Sequence, residues 1–414
     1  MIKMENVIIL THTQIEYDSR IRRQLRTLSK KYNIILCCKK GNGENLNYLP
    51  QNIQYFFYDE IVCQLGKRFL EVFIDRDPVK MNYLTGLNGC LKINLNAFTA
   101  YEAYRVDLTT VYKQMYDYIQ KDKIKVRSII ANDVFVLPMA IRIKNFLLPT
   151  NPNVKLIGDM HEIHFDYIGK ETDLNQKVRT WLCDTFLPKC DLITSVSEWG
   201  VKLYATRYPK NPVACIRNVA EYSDINPKKN GEYIRLVHVG NAQKARRIEE
   251  MIKLMELLDK RFVLDMYLVS SNTAADLYIN DLSTLIQQKG LQNRIRILSP
   301  VVSEHLIQTI NDYDIGIFYI EPIIGNHKYI LPNKLFEFIQ GRVAVVTTPV
   351  FSMKEIIETY EVGKVSQDYS LDSFANAIMQ VEENLSFYKD KSHQAAKILN
   401  TEKEWNGIMN YLEN

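Results

Sequence analysis

The chain holds no apolar run long enough to cross a bilayer and no extended apolar stretch behind its first residues. A spanning helix needs about 20 consecutive apolar residues, so neither a membrane span nor a secretory leader is expected. Cysteine is sparse and irregular. The seven residues, Cys37, Cys38, Cys63, Cys90, Cys183, Cys190 and Cys215, are odd in number and contain no CxxC. That excludes a disulfide framework and a zinc site and fits reduced thiols in a cytoplasmic protein. Charge of one sign is also scarce, since a net +4 over 414 residues leaves no extended footprint for nucleic acid. No GxGxxG follows the first strand candidate, which argues against a dinucleotide dehydrogenase. No short-period repeat or low-complexity tract is present.

What is there is a rhythm. Short β-branched runs alternate with helical patterns, the signature of parallel α/β sheets. Strands are expected at 7–11, 34–38, 53–58, 126–131, 155–158, 192–195 and 213–216. A second series falls at 235–239, 263–269, 294–298, 315–320, 343–347 and 363–365. A chain of 414 residues exceeds what one core usually supports, and two series imply two doubly wound, Rossmann-like domains. We expect them at 1–220 and 221–400, with the polar stretch Glu221 to Gly231 as linker. A final helix, 401–414, shows Trp405, Met409 and Leu412 on one face.

Open parallel sheets bind ligands beyond the carboxyl ends of their strands, so the residues there carry the functional argument. Asp314 to Val350 reads as strand, loop, Leu331-Pro332-Asn333-Lys334-Leu335-Phe336-Glu337, helix, Gly turn and buried strand. Pro332 is suited to a helix start. Free N–H groups, the positive dipole end and Lys334 suit a phosphate there. Glu337, one turn further in, can accept hydrogen bonds from vicinal hydroxyls. Diphosphate plus ribose is the donor end of a nucleotide sugar. Taken singly, a Lys and a Glu in a first helical turn are usually solvated; the ordered set is far more specific.

This segment resembles the donor-binding signature of retaining glycosyltransferase family 4, in the branch carrying PxKxxE. Four further stretches extend the resemblance. Asn132-Asp133 precedes Asp159-Met160-His161-Glu162, as in that family's first-domain signature. Asp18-Ser19-Arg20 resembles its DxR loop, and Gly240-Asn241-Ala242-Gln243-Lys244-Ala245-Arg246-Arg247 its basic loop. The resemblance implies a GT-B fold, two Rossmann-like domains facing a cleft, with the last helix packing back on the first domain. It implies His161 near the sugar, oriented by Asp159 and Glu162. Asp18, Arg20, Asn132 and Asp133 would meet the acceptor, although Asp18 is equally suited to cap the following helix. Gly240, Asn241, Lys244, Arg246, Arg247, Pro332, Asn333, Lys334, Leu335 and Glu337 would hold the donor.

The expected reaction is transfer, with retention, from a UDP- or GDP-linked sugar to a glycan or lipid-linked acceptor in cell-surface polysaccharide or glycoconjugate synthesis. No metal or other cofactor is expected, and no nucleic acid. The expected location is cytoplasmic, with peripheral contact at the inner membrane face. The basic cluster Arg20, Arg22, Arg23, Arg26, Lys30 and Lys31 suits anionic lipid or phosphate. Segments Leu65 to Ile74 and Ile141 to Leu148 read first as core helices and second as membrane-resting surfaces.

Two departures from the family pattern stand out. Arg247 occupies a place where Gly is more common, and Tyr329 replaces the first acid of an E-x7-E pair. Asp312-Tyr313-Asp314 forms a DxD, read here as structural. His161 and His164 miss the i, i+4 spacing of a helical metal pair. The rivals are a nucleotide-sugar epimerase of the same fold and a catalytically silent glycan-binding protein.

Overall fold

A computed structural model describes residues 4–41, 46, 49–58, 110–167, 174–322 and 325–413. Cys63, Cys90 and the expected segment Leu65 to Ile74 lie outside the described residues. The chain packs as two compact units, Met1–Arg217 with Trp405–Asn414, and Asn218–Glu404. Both are doubly wound parallel α/β, the architecture of a two-domain GT-B protein.

The first unit is built on seven strands: β1 (Asn6–Thr11), β2 (Asn33–Lys39), β3 (Ile53–Tyr58), β4 (Val126–Asn132), β5 (Lys155–Met160), β6 (Leu192–Ser195) and β7 (Val213–Cys215). They lie in the order β3-β2-β1-β4-β5-β6-β7, all parallel. Helices cover both faces of such a sheet, so its central strands are apolar on both sides; Val7, Ile8, Ile9 and Leu10 are all fully buried. The helix Ser19–Leu28 begins where the Asp18 carboxylate accepts from the Ile21 N–H at 3.1 Å. It buries Ile21, Leu25 and Leu28. The final helix, Thr401–Glu413, adds Trp405, Ile408, Met409 and Leu412 to that core. Lys155 Nζ donates to Tyr411 O at 3.1 Å, and the Tyr411 hydroxyl donates to Asp191 O at 3.0 Å.

The second unit has six parallel strands: β8 (Ile234–Asn241), β9 (Phe262–Val269), β10 (Ile295–Leu298), β11 (Ile315–Phe318), β12 (Ala344–Thr347) and β13 (Gly363–Val365). Their order is β10-β9-β8-β11-β12-β13. The polar stretch expected as a linker belongs to this unit. Fully buried Arg342 fastens it, donating to Ile225 O at 3.1 Å and to Ser223 O.

Two local expectations are corrected. Strand β5 runs two residues past Gly158, because Asp133 N–H donates to Asp159 O at 2.9 Å and carries the sheet pattern on. Asp159 is therefore inside the sheet, fully buried. Pro332 is extended and precedes the helix Asn333–Gln340 instead of opening its first turn. The segment Ile141 to Leu148 follows its first reading as a core helix: Ile141 to Leu147 fall in the helix Leu137–Leu147, where Ile141, Ile143 and Leu147 are core residues. No helix among the described residues is long and apolar enough to cross a membrane.

Strand order reverses between β1 and β4 in one unit and between β8 and β11 in the other. Ligands of open α/β sheets bind at such reversals. The carboxyl ends of these strands carry the candidate residues.

Candidate functional site

In the second unit three residues from distant parts of the sequence converge. Gly240, at the end of β8, has φ +151; a Cβ there would lie 2.5 Å from Lys334 Nζ and 3.5 Å from Arg246 Nη1. Lys334 is 6% exposed. Its Nζ has no hydrogen-bond partner among the described residues and sits 4.3 Å over the Phe318 ring. Burial, and then the Arg246 charge, hold Lys334 well below the usual lysine range, with Glu337 opposing them. Burial also lowers Arg246. A buried cation normally has a partner or neutralises. Here a second cation stands beside it, at a helix N-terminus without a side-chain cap. The arrangement calls for an anion.

Neighbouring groups keep the pocket wall neutral. Buried His238 pairs Nδ1 with Ile317 O at 3.1 Å and stacks on Phe318. Burial, with the Lys334 and Arg246 charges, holds its pKa far below the ordinary imidazole value. Asn333 Oδ1 accepts from Asn218 Nδ2 at 2.5 Å. Glu337 is half-buried one turn into the helix.

Of the three basic residues in the loop, only Arg246 faces Lys334. The Lys244 side chain is 79% exposed, 3.8 Å from Asp281. Arg247 bonds Glu250 at 2.8 Å and also Glu321. Arg247 has φ 49, a left-handed conformation that Gly adopts freely; this is why Gly suits the position, and the two ion pairs offset the strain. Lys244–Arg246 form a separate turn, so these basic residues do not stand against a helix dipole. The helix Glu249–Leu254 then starts with two acids. Leu335, expected at the donor, is a core residue, 1% exposed and packed with Phe336 and Phe338. Asn241 is exposed at the strand end. Tyr329 O accepts from Ser352 Oγ at 3.0 Å.

The DxD acids do not converge. Asp314 is buried and accepts from Lys389 Nζ at 3.0 Å and from Arg235 N–H at 2.9 Å. Asp312, at the surface, pairs with Lys228.

The first unit gathers a network of titratable groups at the ends of β1, β4 and β5. His161 is 19% exposed; its Nε2 lies 3.3 Å from Asn132 Oδ1 and 3.4 Å from Asp159 Oδ2. Burial and the Arg20 charge push its pKa down, but the Asp159 hydrogen bond and the Asp159 and Asp133 charges outweigh them and raise it. Burial works against the Asp159 carboxylate, but the Arg20 charge and the bonds from His161 and Thr194 hold it well below the usual range.

Several residues expected at the acceptor are engaged inside the unit. Arg20 is 6% exposed; its guanidinium donates to both Asp159 oxygens, at 2.7 and 2.9 Å, and to Ile216 O. Its Nη1 and Nη2 donors are engaged within the unit, by Asp159 and a backbone carbonyl. Fully buried Asn132 donates to Leu10 O at 3.2 Å and to Gln24 Oε1 at 3.0 Å. Asp18 caps its helix and accepts from Thr13 Oγ1 at 2.7 Å. Asp133, with φ 78, caps Val134 N–H at 2.9 Å and touches His164 Nε2. Glu162 is half-buried, its carbonyl accepting from the Tyr204 hydroxyl at 2.8 Å.

His161 and His164 diverge, and no cluster of three or more His, Cys, Asp or Glu among the described residues is arranged to hold a metal. Gln24, His238 and Arg179 join these networks without a signal in the sequence. Each sits inside a strand or helix pattern, and only the tertiary fold brings it to the strand ends.

No protein-family model matches the chain, and no curated protein matches it by sequence. Solved structures do match along its whole length. Anabaena HepE, solved with UDP, superposes with a TM-score of 0.66 at 12% identity, covering 99% of this chain and 100% of that one. The sucrose-phosphate synthase of Thermosynechococcus elongatus gives 0.65 at 11% identity, covering 98% and 96%. A TarM variant from S. aureus, solved with fondaparinux, alpha-GlcNAc-glycerol and UDP, gives 0.64 at 11% identity, covering 99% and 100%. The likeness is one of fold.

Proposed function

We propose that this chain is a glycosyltransferase that takes its sugar from a nucleotide-sugar donor. The observation that carries the reading is the buried, unpartnered Lys334 ammonium beside Arg246, against the bare backbone of Gly240. A donor diphosphate supplies the missing counter-charge, and Gly240 leaves room for it. HepE and TarM, of the same fold, were solved with UDP, which makes UDP the first nucleotide to try.

In this reading the diphosphate is held by Lys334, Arg246 and the N–H groups opening the helix Asn333–Gln340. The leaving phosphate develops charge as the glycosidic bond breaks, and fixed cations stabilise it without reorganising. Glu337 accepts the ribose hydroxyls. His161 meets the sugar, with Asp159, Asn132 and, through Asp159, Arg20 holding its ring. Among the described residues of the first unit no carboxylate is placed as an obvious nucleophile, so retention proceeds by front-face displacement, the departing phosphate accepting the acceptor proton. The acceptor is a glycan, lipid-linked and membrane-borne, in polysaccharide or glycoconjugate assembly.

A thermal-shift series with UDP, GDP, uridine and guanosine tests the donor half, since a bound ligand raises stability by mass action. A nucleoside diphosphate shifts the melting point strongly and its nucleoside weakly. Equal, negligible shifts from all four sink the reading. The group of His161, His164, Asp133 and Asp159 also fits an epimerase of this fold. Product formed from nucleotide sugar alone, with no acceptor, favours that second reading.

A further inference from the structure

Beyond the residues just assigned, a buried chain of three side chains ends on Asp133. Arg179, in the helix Leu174–Phe186, is 7% exposed. Its guanidinium lies between two rings, 4.8 Å from the Phe135 centroid and 4.0 Å from that of Tyr167. Its Nη1 lies 2.7 Å from His164 Nδ1. His164 is fully buried, and its Nε2 rests against Asp133 Oδ1. Gln176 Nε2 donates to His164 O at 2.8 Å and fixes the backbone of that residue.

Donor and acceptor chemistry settles the protons along this chain. An arginine side chain can only donate, so His164 Nδ1 must be the bare, accepting nitrogen. The single imidazole proton is then on Nε2, facing the carboxylate. Burial is the largest influence on His164 and lowers its pKa; Asp133 opposes it, while Arg179 and His161 reinforce it. Asp133 is also under the electrostatic influence of His12 and His161. His12 is held below its ordinary value by burial and packs edge-on to Phe135 at 4.8 Å. Asp133 Oδ1 accepts from Val134 N–H and stands in close contact with His164 Nε2. No described residue hydrogen-bonds Oδ2.

Asp133 stands at the end of β4, at the sheet's reversal, with φ 78 and ψ 163. That backbone region is nearly reserved for Gly, and strain of this kind persists only where the surroundings over-determine it.

We propose that Arg179 is a positioning residue that, through a neutral His164, pins one oxygen of Asp133 and leaves the other for a substrate hydroxyl. The hydroxyl part rests on the glycosyltransferase reading; the proton arrangement does not. Without Arg179, His164 takes a second proton and pairs with Asp133 as an imidazolium, drawing the carboxylate's charge inward. Both oxygens then turn toward His164, and the hydroxyl loses its acceptor.

Long-range proton–nitrogen correlation spectra of the full chain, labelled at histidine nitrogens, test this directly. In the parent protein His164 should show a proton on Nε2 and a bare Nδ1, and stay neutral as pH falls through the ordinary histidine value of about 6.5. In Arg179→Met its titration should move up past that ordinary value. In Arg179→Lys, which keeps a donor-only cation, it should return toward the parent's. A parent His164 protonated on Nδ1 or cationic at neutral pH overturns the proposal without any variant. So does an unchanged titration in Arg179→Met.

UDP release from UDP-glucose is the second readout. The variant should lose roughly tenfold or more in kcat, with KM within about twofold, because a transition-state contact is removed and donor binding is not. A normal kcat alongside the shifted titration rejects the hydroxyl role. No UDP binding or release by the parent counts against the glycosyltransferase reading, and the spectra still judge the relay.

Discussion

Lys334 is the residue on which function and stability pull in opposite directions. Its buried ammonium has no hydrogen-bond partner, which costs the empty protein stability, so removing it should stabilise that form. Lys334→Met is expected to raise unfolding stability by about 1–3 kcal/mol and to abolish diphosphate-dependent binding. The pH dependence has a definite sign. An unfolded lysine keeps its proton up to about 10.4, whereas folded Lys334 releases it well below that. Between the two values the unfolded state binds more protons, so the empty protein gains stability as pH rises through that window. UDP favours the protonated form, so its affinity should fall across the same window. Denaturation and calorimetric titration of parent and variant against pH check both slopes. A parent and a Lys334→Met variant with identical pH profiles refute the placement. Glu337 gives a second expectation. Two hydroxyl bonds to its carboxylate, each about 1.5–3 kcal/mol, make Glu337→Ala at least about tenfold weaker for donor. Glu337→Gln, which keeps one acceptor oxygen, should lose less. Donor bound by Glu337→Ala as by the parent would detach this helix from the donor site.

At the scale of elements, the proposed anion site depends on β8 ending in a residue without a side chain. Gly240→Ala meets two obstacles, a positive φ and a Cβ 2.5 Å from Lys334 Nζ. The backbone strain is about 1–3 kcal/mol, and the lysine must leave its place. We expect a melting point lower by several degrees and UDP affinity reduced by more than about tenfold. Binding kept at the parent level in this variant would show that the diphosphate does not approach Gly240. The neighbouring turn Lys244–Arg246 divides its labour by geometry. Arg246 turns to Lys334, Lys244 to solvent, and Arg247 to Glu250 and Glu321.

At the scale of the whole molecule, the proposed reading has the charge of a nucleotide diphosphate matched by protein cations in one unit. The DxD acids are spent elsewhere, Asp314 on Lys389 and Asp312 on Lys228. Donor turnover is therefore expected to survive chelation. Loss of turnover in EDTA, restored by manganese, would return Asp312 and Asp314 to a metal role. Turnover assays run with and without chelator decide it.

The architecture was legible in the sequence because buried parallel strands need apolar residues on both faces. Each of the thirteen expected strands has a counterpart among β1 to β13, displaced by at most two residues at either end. The order strand, Pro-Asn-Lys-x-x-Glu, Gly turn, strand likewise marked the helix at Asn333 as special. What the sequence could not carry was the direction and company of charged side chains. Arg20 and Arg246 look alike in one dimension. The first is buried against Asp159, 139 positions away, and the second faces a lysine with no hydrogen-bond partner. Arg179 gave no local sign at all, because its partners His164 and Asp133 come from other elements. Period and propensity are local properties, fixed by neighbours along the chain. Protonation, pairing and unmet charge depend on who is within a few ångströms, and only the folded chain decides that.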